Sequence, residues 1–221
     1  MSRGARRRPS VGQLSAKLLR AWQDSVPREE WRRLDQGSLR AACSAQIQFA
    51  RQRRRHQILL SVIGAPSAEL ASARTAARLD GVYPSTPVSS AVQLVTDDMP
   101  FLVDTLRMTL AQAGLSAQII IHPILHVRRD AHGRLIDLDQ NLQAEDGWHE
   151  SWQYLRIERL ADTAEAQQLQ RRLLAALRDV RAACRDWMRM RNAVLKLCAQ
   201  ISRNPPPFSA DVIAESRALL L

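Results

Sequence analysis

His122 and His126 stand four residues apart and are the nearest thing in this sequence to a metal-ligand pair. On a helix that spacing would put both imidazoles on one face. Pro123 and the branched run Ile119-Ile120-Ile121 argue for a strand instead. There the two rings lie ~13 Å apart at ~3.3 Å per residue, too far for one ion. His132 reads as a turn residue. The concentrated carboxylates are Asp97, Asp98 and Asp104. Acid–base work would require a nucleophile or a partner base nearby in sequence, and none is present. Capping the helix that follows, and complementing its dipole, is a role Asp97 or Asp98 fills without such a partner. Cys43, Cys184 and Cys198 are widely spaced, with no C-x-x-C, so they form neither a disulfide framework nor a zinc site. They read as small apolar residues on helices. The glycines fall at 4, 12, 37, 64, 81, 114, 133 and 147, so no phosphate-cradling loop and no G-x-G-x-x-G exists. A nucleophile elbow of the G-x-S-x-G type is absent too. No catalytic, cofactor-binding or metal-binding residue is therefore assigned.

The chain has 32 basic and 22 acidic residues, a formal charge of +10. Lys17 and Lys196 are the only lysines, and arginine is spread along the whole chain. Tight clusters occur at Arg6-Arg7-Arg8 and at Arg51-Gln52-Arg53-Arg54-Arg55. Neither interleaves aromatics for base stacking, so both read as solvated charge. A basic nucleic-acid-binding or adaptor protein using these clusters stays as the alternative function. Hydrophobic residues make up 46% and charged residues 24%, the balance of a globular domain. No apolar run reaches the ~18–20 residues that span a bilayer. The arginine-bearing start has no apolar stretch behind it, unlike a secretory signal. The expectation is a cytoplasmic protein that does not contact membrane.

The elements that must position these residues follow from periodicity. Residues 1–10 read as a flexible basic tail. Leu14, Leu18, Leu19 and Trp22 form a helical stripe. Pro27 suits the first turn of a short helix at 28–34. A third helix is expected from about 38 to 54, which makes 11–55 a helical unit. Residues 57–63 read as a strand and 67–87 as a variable connection. Residues 91–96 form a second strand. A helix from about 100 to 113 follows, stopped by Gly114. Residues 117–127 read as one strand, 128–134 as a hairpin turn and 135–138 as the return. After a loop at 139–149, residues 151–158 alternate as a half-buried strand. Asp162 and Glu165 form a capping box for a helix striped by Leu169, Leu173, Leu177 and Val180, and a long helix follows or continues through Trp187, Met190, Val194, Leu197 and Ile201. Pro205-Pro206-Pro207 end it, and Ser209 caps a last helix. The finish on Leu219-Leu220-Leu221 lacks a cap and reads as a passage into a longer chain. Strand, helix, strand–hairpin–strand, helix gives an α+β, ferredoxin-like antiparallel sheet with helices on one face, flanked by N-terminal and C-terminal helices. The strand at 57–63 supplies its fourth strand.

VTDDMPFLVDTLRMTL (95–110) and IIIHPILHVRRDAHGRL (119–135) resemble the amino-terminal region of the large bacterial NAD-dependent glutamate dehydrogenases. ESWQYLRIER (150–159), DVRAACRDWMRMR (179–191) and NPPPFSADVIAESRALL (204–220) resemble the same region, in the same order. The resemblance implies an ACT-like, non-catalytic domain over 56–182 and a C-terminal helical extension over 183–221 that leads into further domains. It implies a regulatory or assembly role in a homo-oligomeric parent enzyme that oxidatively deaminates L-glutamate to 2-oxoglutarate and ammonia, with NAD bound elsewhere. Neither Lys17 nor Lys196 sits in the setting that such chemistry needs beside the substrate. ACT domains bind amino acids where the first strand meets the first helix. The matching positions are Thr96, Asp97, Asp98, Met99 and Pro100. Helix-start N–H groups would receive the effector's carboxylate, and an aspartate its ammonium. One departure is Phe101, where common ACT modules carry glycine, and its ring would narrow the pocket.

Overall fold

The computed structural model describes residues 9–64, 90–140, 147–158 and 160–220. The predicted connection at 67–87, most of the basic tail and most of the loop at 139–149 lie outside the described residues. The chain divides into two compact units, residues 1–176 and 177–221.

The first unit opens with three helices. Helix α1 (Val11–Asp24) starts at Ser10, whose side chain accepts from the Gln13 N–H while Gln13 reaches back to the Ser10 N–H. This reciprocal cap satisfies two donors that a helix start leaves orphaned. Helix α2 (Arg28–Arg33) begins after Pro27, and α3 (Gln36–Phe49) is capped by Asp35. Helix α3 stops five residues short of the predicted end. The chain beyond it leaves the helix because Arg53 is drawn inward, as described below.

Six strands follow: β1 (Leu59–Ile63), β2 (Ser90–Asp97), β3 (Ala117–Ile121), β4 (Ile124–Arg129), β5 (Leu135–Asp139) and β6 (Trp148–Ile157). Helix α4 (Leu102–Gln112) joins β2 to β3. The sheet is antiparallel, in the order β1-β2-β6-β4-β5, with β3 also on β6. Strand β6 lies between β2 and the β3/β4 pair, which is the split βαβ of a ferredoxin-like fold. Strand β1 takes the fourth-strand place beside β2, as the sequence predicts. The predicted single strand at 117–127 is broken at His122-Pro123. Proline has no N–H to give the ladder, and its carbonyl instead accepts from the Trp152 N–H at 3.0 Å.

Both faces of the sheet are covered. On one face α1 and α3 bury Leu14, Leu18, Trp22, Leu39, Cys43 and Ile47 in a cluster with Val95, Ile121, Leu125, Val127 and Trp152. Trp22 stacks on Tyr154 with centroids 4.9 Å apart. The opposite face carries the alternate residues Val92, Leu94, Leu155 and Ile157, all buried. Leu102, Leu106 and Leu110 of α4 are buried, as are Leu169 and Leu173 at the start of α5 (Thr163–Arg203). The half-wet alternation expected for 151–158 is therefore replaced by near-continuous burial in β6. The edge strand β1 is capped by Gln170, whose Oε1 accepts from the Val62 N–H at 3.2 Å, an edge covered against further pairing.

The second unit holds the remainder of α5 and α6 (Ala210–Leu220), which starts after Ser209. No described helix is long and apolar enough to cross a membrane.

One glycine makes the join between the helical unit and the hairpin possible. Gly133 sits at φ +80, and a Cβ there would lie 2.5 Å from the Arg53 carbonyl oxygen. Gly114 also has a positive φ of +73, but a Cβ there meets nothing within 4 Å. Gly114→Ala should cost about 1 kcal/mol from backbone strain alone. Gly133→Ala adds a backbone clash and should cost about 3 kcal/mol or more. Urea midpoints of the two variants check the order; equal shifts would contradict the close-approach account.

Candidate functional site

The predicted effector turn joins β2 to α4. Thr96 is buried, Asp97 is partly buried, and Asp98 and Pro100 are exposed. The Asp98 N–H donates to the His149 carbonyl at 3.1 Å, which ties the turn to β6. The expectation that Asp97 or Asp98 caps the helix is not met. Phe101 occupies the cap position and offers no oxygen. The Asp97 carboxylate is engaged elsewhere: Oδ1 accepts from Arg53 Nη2, and Oδ2 accepts from the His56 N–H at 2.9 Å and lies 2.8 Å from His56 Nδ1. A charged partner of opposite sign outcompetes a helix N–H for the same oxygens.

Phe101 itself adopts φ +67, the left-handed region in which glycine is unstrained. The backbone of the turn thus keeps the conformation a glycine would supply. The ring points outward, 66% exposed, rather than into the core.

The strongest electrostatic feature is one that periodicity does not reveal. Glu150, in the middle of β6, is fully buried. Its Oε1 accepts from Arg53 Nη1 at 2.7 Å, Arg129 Nε at 2.7 Å and Trp148 Nε1 at 3.0 Å. Its Oε2 accepts from Arg129 Nη2 at 2.9 Å and Trp152 Nε1 at 3.0 Å. Arg53 is fully buried as well and also donates from Nε to the Gln57 carbonyl at 2.8 Å. Arg129 Nη1 donates to the Ala50 and Gly133 carbonyls at 2.9 and 3.1 Å. Two guanidiniums, Glu150 and Asp97 balance in charge, which is what makes such a buried group tolerable. The reading of Arg51–Arg55 as solvated charge is therefore corrected at its centre. Arg53 points inward, while Arg51, Arg54 and Arg55 stay exposed. A sequence signal did exist: Trp148, Glu150 and Trp152 alternate onto one face of a strand, with two indole donors flanking one carboxylate.

The other candidates are dispersed. His122 is exposed and His126 is buried on the far side of the Pro123 break. His126 meets His149 edge to face, with centroids 6.2 Å apart. Asp104 lies exposed in the first turn of α4. His132 is a turn residue whose N–H donates to Asp130 Oδ1 at 2.9 Å. Lys17 pairs with Asp137 at 2.7 Å and ties α1 to β5. Burial pushes the Cys43 thiol far above its ordinary pKa, which leaves it inert.

Glu150→Gln should destabilise by about 3–5 kcal/mol, because it leaves Arg129 without a carboxylate and one buried positive charge unbalanced. Chemical denaturation checks this; a loss below about 1 kcal/mol would deny the cluster its role. Asp97 adds a pH dependence. Burial acts to raise its carboxyl pKa, but the hydrogen bond and charge of Arg53, joined by His56, outweigh it and the net shift is downward. A carboxyl held lower in the folded chain contributes stability above its unfolded pKa of about 4 and loses it as pH falls through the folded value. Stability of the unsubstituted chain should therefore drop below about pH 4 more steeply than that of Asp97→Asn. Denaturation series from neutral pH to pH 3 measure the difference.

Comparison with known proteins places this geometry. A family model described as the glutamate dehydrogenase ACT1 domain matches residues 18–173. The NAD-specific glutamate dehydrogenase of Pseudomonas aeruginosa is 33% identical over 132 residues, covering 59% of this chain and 8% of that protein. The NAD-specific glutamate dehydrogenase of Halomonas elongata is 32% identical over 102 residues, covering 45% of this chain and 6% of that protein. The match thus spans less than a tenth of either relative. With the family model covering most of the chain, and the split βαβ sheet in agreement, the chain belongs to the glutamate dehydrogenase ACT1 domain family.

Proposed function

We propose that this chain is a non-catalytic regulatory and assembly module of an NAD-dependent glutamate dehydrogenase, working within a homo-oligomer and alongside other domains of a parent chain. The parent reaction would be oxidative deamination of L-glutamate to 2-oxoglutarate and ammonia, with NAD held outside this segment. The observation that carries the reading is the family match over 18–173 to a domain of that enzyme. No glycine-rich phosphate loop stands in the sequence to argue for a dinucleotide site of its own.

The effector reading centres on Thr96, Asp97, Asp98, Met99 and Pro100, whose settings differ. Asp97 is committed to Arg53 and His56, so it belongs to the frame of the turn. Asp98 is exposed and is the carboxylate left to meet an ammonium group. The start of α4 would face the effector's carboxylate, where N–H groups and the helix dipole favour negative charge. The exposed Phe101 ring stands at the rim and would control access.

The alternative, an adaptor for nucleic acid, draws on a different observation. The Arg53 N–H donates to the Gly133 carbonyl and the Leu135 N–H to the Arg51 carbonyl, both at 2.9 Å. This joins the exposed Arg51, Arg54 and Arg55 to the exposed Arg134 on one surface.

Calorimetric titration with L-amino acids, and with duplex DNA at low and moderate salt, separates the two. The effector reading expects saturable amino-acid binding that Asp98→Asn weakens by about tenfold, the loss of roughly one charge-assisted hydrogen bond. Phe101→Gly should relieve the positive-φ strain, stabilise the fold by about 1 kcal/mol and widen access. DNA binding that survives moderate salt would count against the dehydrogenase role. With neither ligand bound, assembly alone remains.

A further inference from the structure

The segment between α3 and β1 carries cations that the fold itself does not use. Arg54 and Arg55, with Gln52, His56 and Gln57, line an open concavity of about 650 Å³. Both arginines are exposed, and neither guanidinium has a hydrogen bond or ion pair among the described residues. The backbone that presents them is fixed. The Arg54 N–H donates to Gln57 Oε1 at 3.0 Å, and the Gln57 N–H donates to the Arg54 carbonyl at 3.1 Å. His56 is held at φ +64 by Asp97, which accepts from its N–H and lies beside its Nδ1. A left-handed backbone costs energy in a residue with a side chain, persists only where its surroundings over-determine it, and gathers at ligand sites. Beneath the concavity, Glu150 and Asp97 are balanced by Arg53 and Arg129, so they do not offset Arg54 and Arg55. Asp98 follows Asp97 but does not line the concavity. Asp130, on the hairpin, accepts from the His132 and Arg134 N–H groups.

We propose that this concavity binds a small molecule bearing two or more phosphoryl groups. A guanidinium meets a phosphoryl group with two parallel hydrogen bonds. Two guanidiniums on consecutive residues therefore suit two adjoining phosphoryl groups. Gln57, whose amide oxygen is engaged by the Arg54 N–H, keeps its amide nitrogen as a further donor. Size favours a small molecule over nucleic acid, because the volume lies in the range that holds one compact ligand. No Trp, Tyr or Phe lines the concavity to stack a base. The inference goes beyond the amino-acid reading, which concerns the exposed side of the turn between β2 and α4. It fails or stands separately, since a different ligand tests it.

Calorimetric titration of the whole chain with pyrophosphate and tripolyphosphate tests it. Saturable one-to-one binding is expected for both, tighter for tripolyphosphate and weaker as salt rises. Arg54→Gln combined with Arg55→Gln should weaken it at least about tenfold, the loss of charge-assisted hydrogen bonds. Arg189→Gln combined with Arg203→Gln removes the same charge from exposed positions of α5 and should change it less than about twofold. Circular dichroism confirms that both variants keep the fold. Malonate, a dicarboxylate, should bind at least about tenfold more weakly than pyrophosphate. An absence of saturable binding overturns the proposal, as does binding that survives the Arg54 and Arg55 changes or falls equally with the α5 changes. Malonate binding as tight as that of pyrophosphate overturns the assignment to phosphoryl groups. Duplex DNA that binds more tightly than tripolyphosphate, through the same two arginines, overturns the small-molecule occupant.

Discussion

A carboxylate buried in the centre of a sheet cannot stand alone, and much of the first unit follows from that constraint. Glu150 must be met by cations, and the one arginine of its own strand, Arg156, stands six residues further along. Arg129 comes from the neighbouring strand and Arg53 from the segment after α3. Bringing Arg53 into position ends α3 early and draws its loop against the hairpin. The hairpin must then present a residue without a side chain, and Gly133 fills that place. One ionic contact thereby ties together the helical unit, β2, β4, the hairpin and β6.

The same constraint shapes the turn between β2 and α4. Asp97 lies at the end of β2, where a free carboxylate would suit a ligand or a helix cap. Arg53 and His56 engage it first. The turn is left with Asp98 as its exposed carboxylate, a rigid attachment to β6 through the His149 carbonyl, and a cap position held by an aromatic residue. A charge network that stabilises the fold has fixed which of two adjacent aspartates stays exposed.

The N-terminal helices have a comparable effect on the sheet. A ferredoxin-like sheet alone would leave one face to water. Here α1 and α3 cover that face with Trp22, Leu18 and Ile47, so the central strand is buried on both sides.

Local pattern determined much on its own. Helical stripes, the proline and glycine stops, the Asp162 and Ser209 starts and the order of the strands were all legible, because periodicity and turn chemistry act within a few residues. Ordered motifs carried the family. The turn between β2 and α4 was legible as well, but the fate of its side chains was not. Whether Asp97 caps a helix or pairs with Arg53 depends on a residue 44 positions away. Whether Arg53 is solvated or buried depends on Glu150, 97 positions on. The break at Pro123 was visible as a residue, yet its consequence depends on Trp152 lying opposite. Sequence alone therefore determined which elements form and in what order. Tertiary structure decided which charges meet, because a buried charge takes its partner from whatever the fold brings within about 3 Å, regardless of separation along the chain.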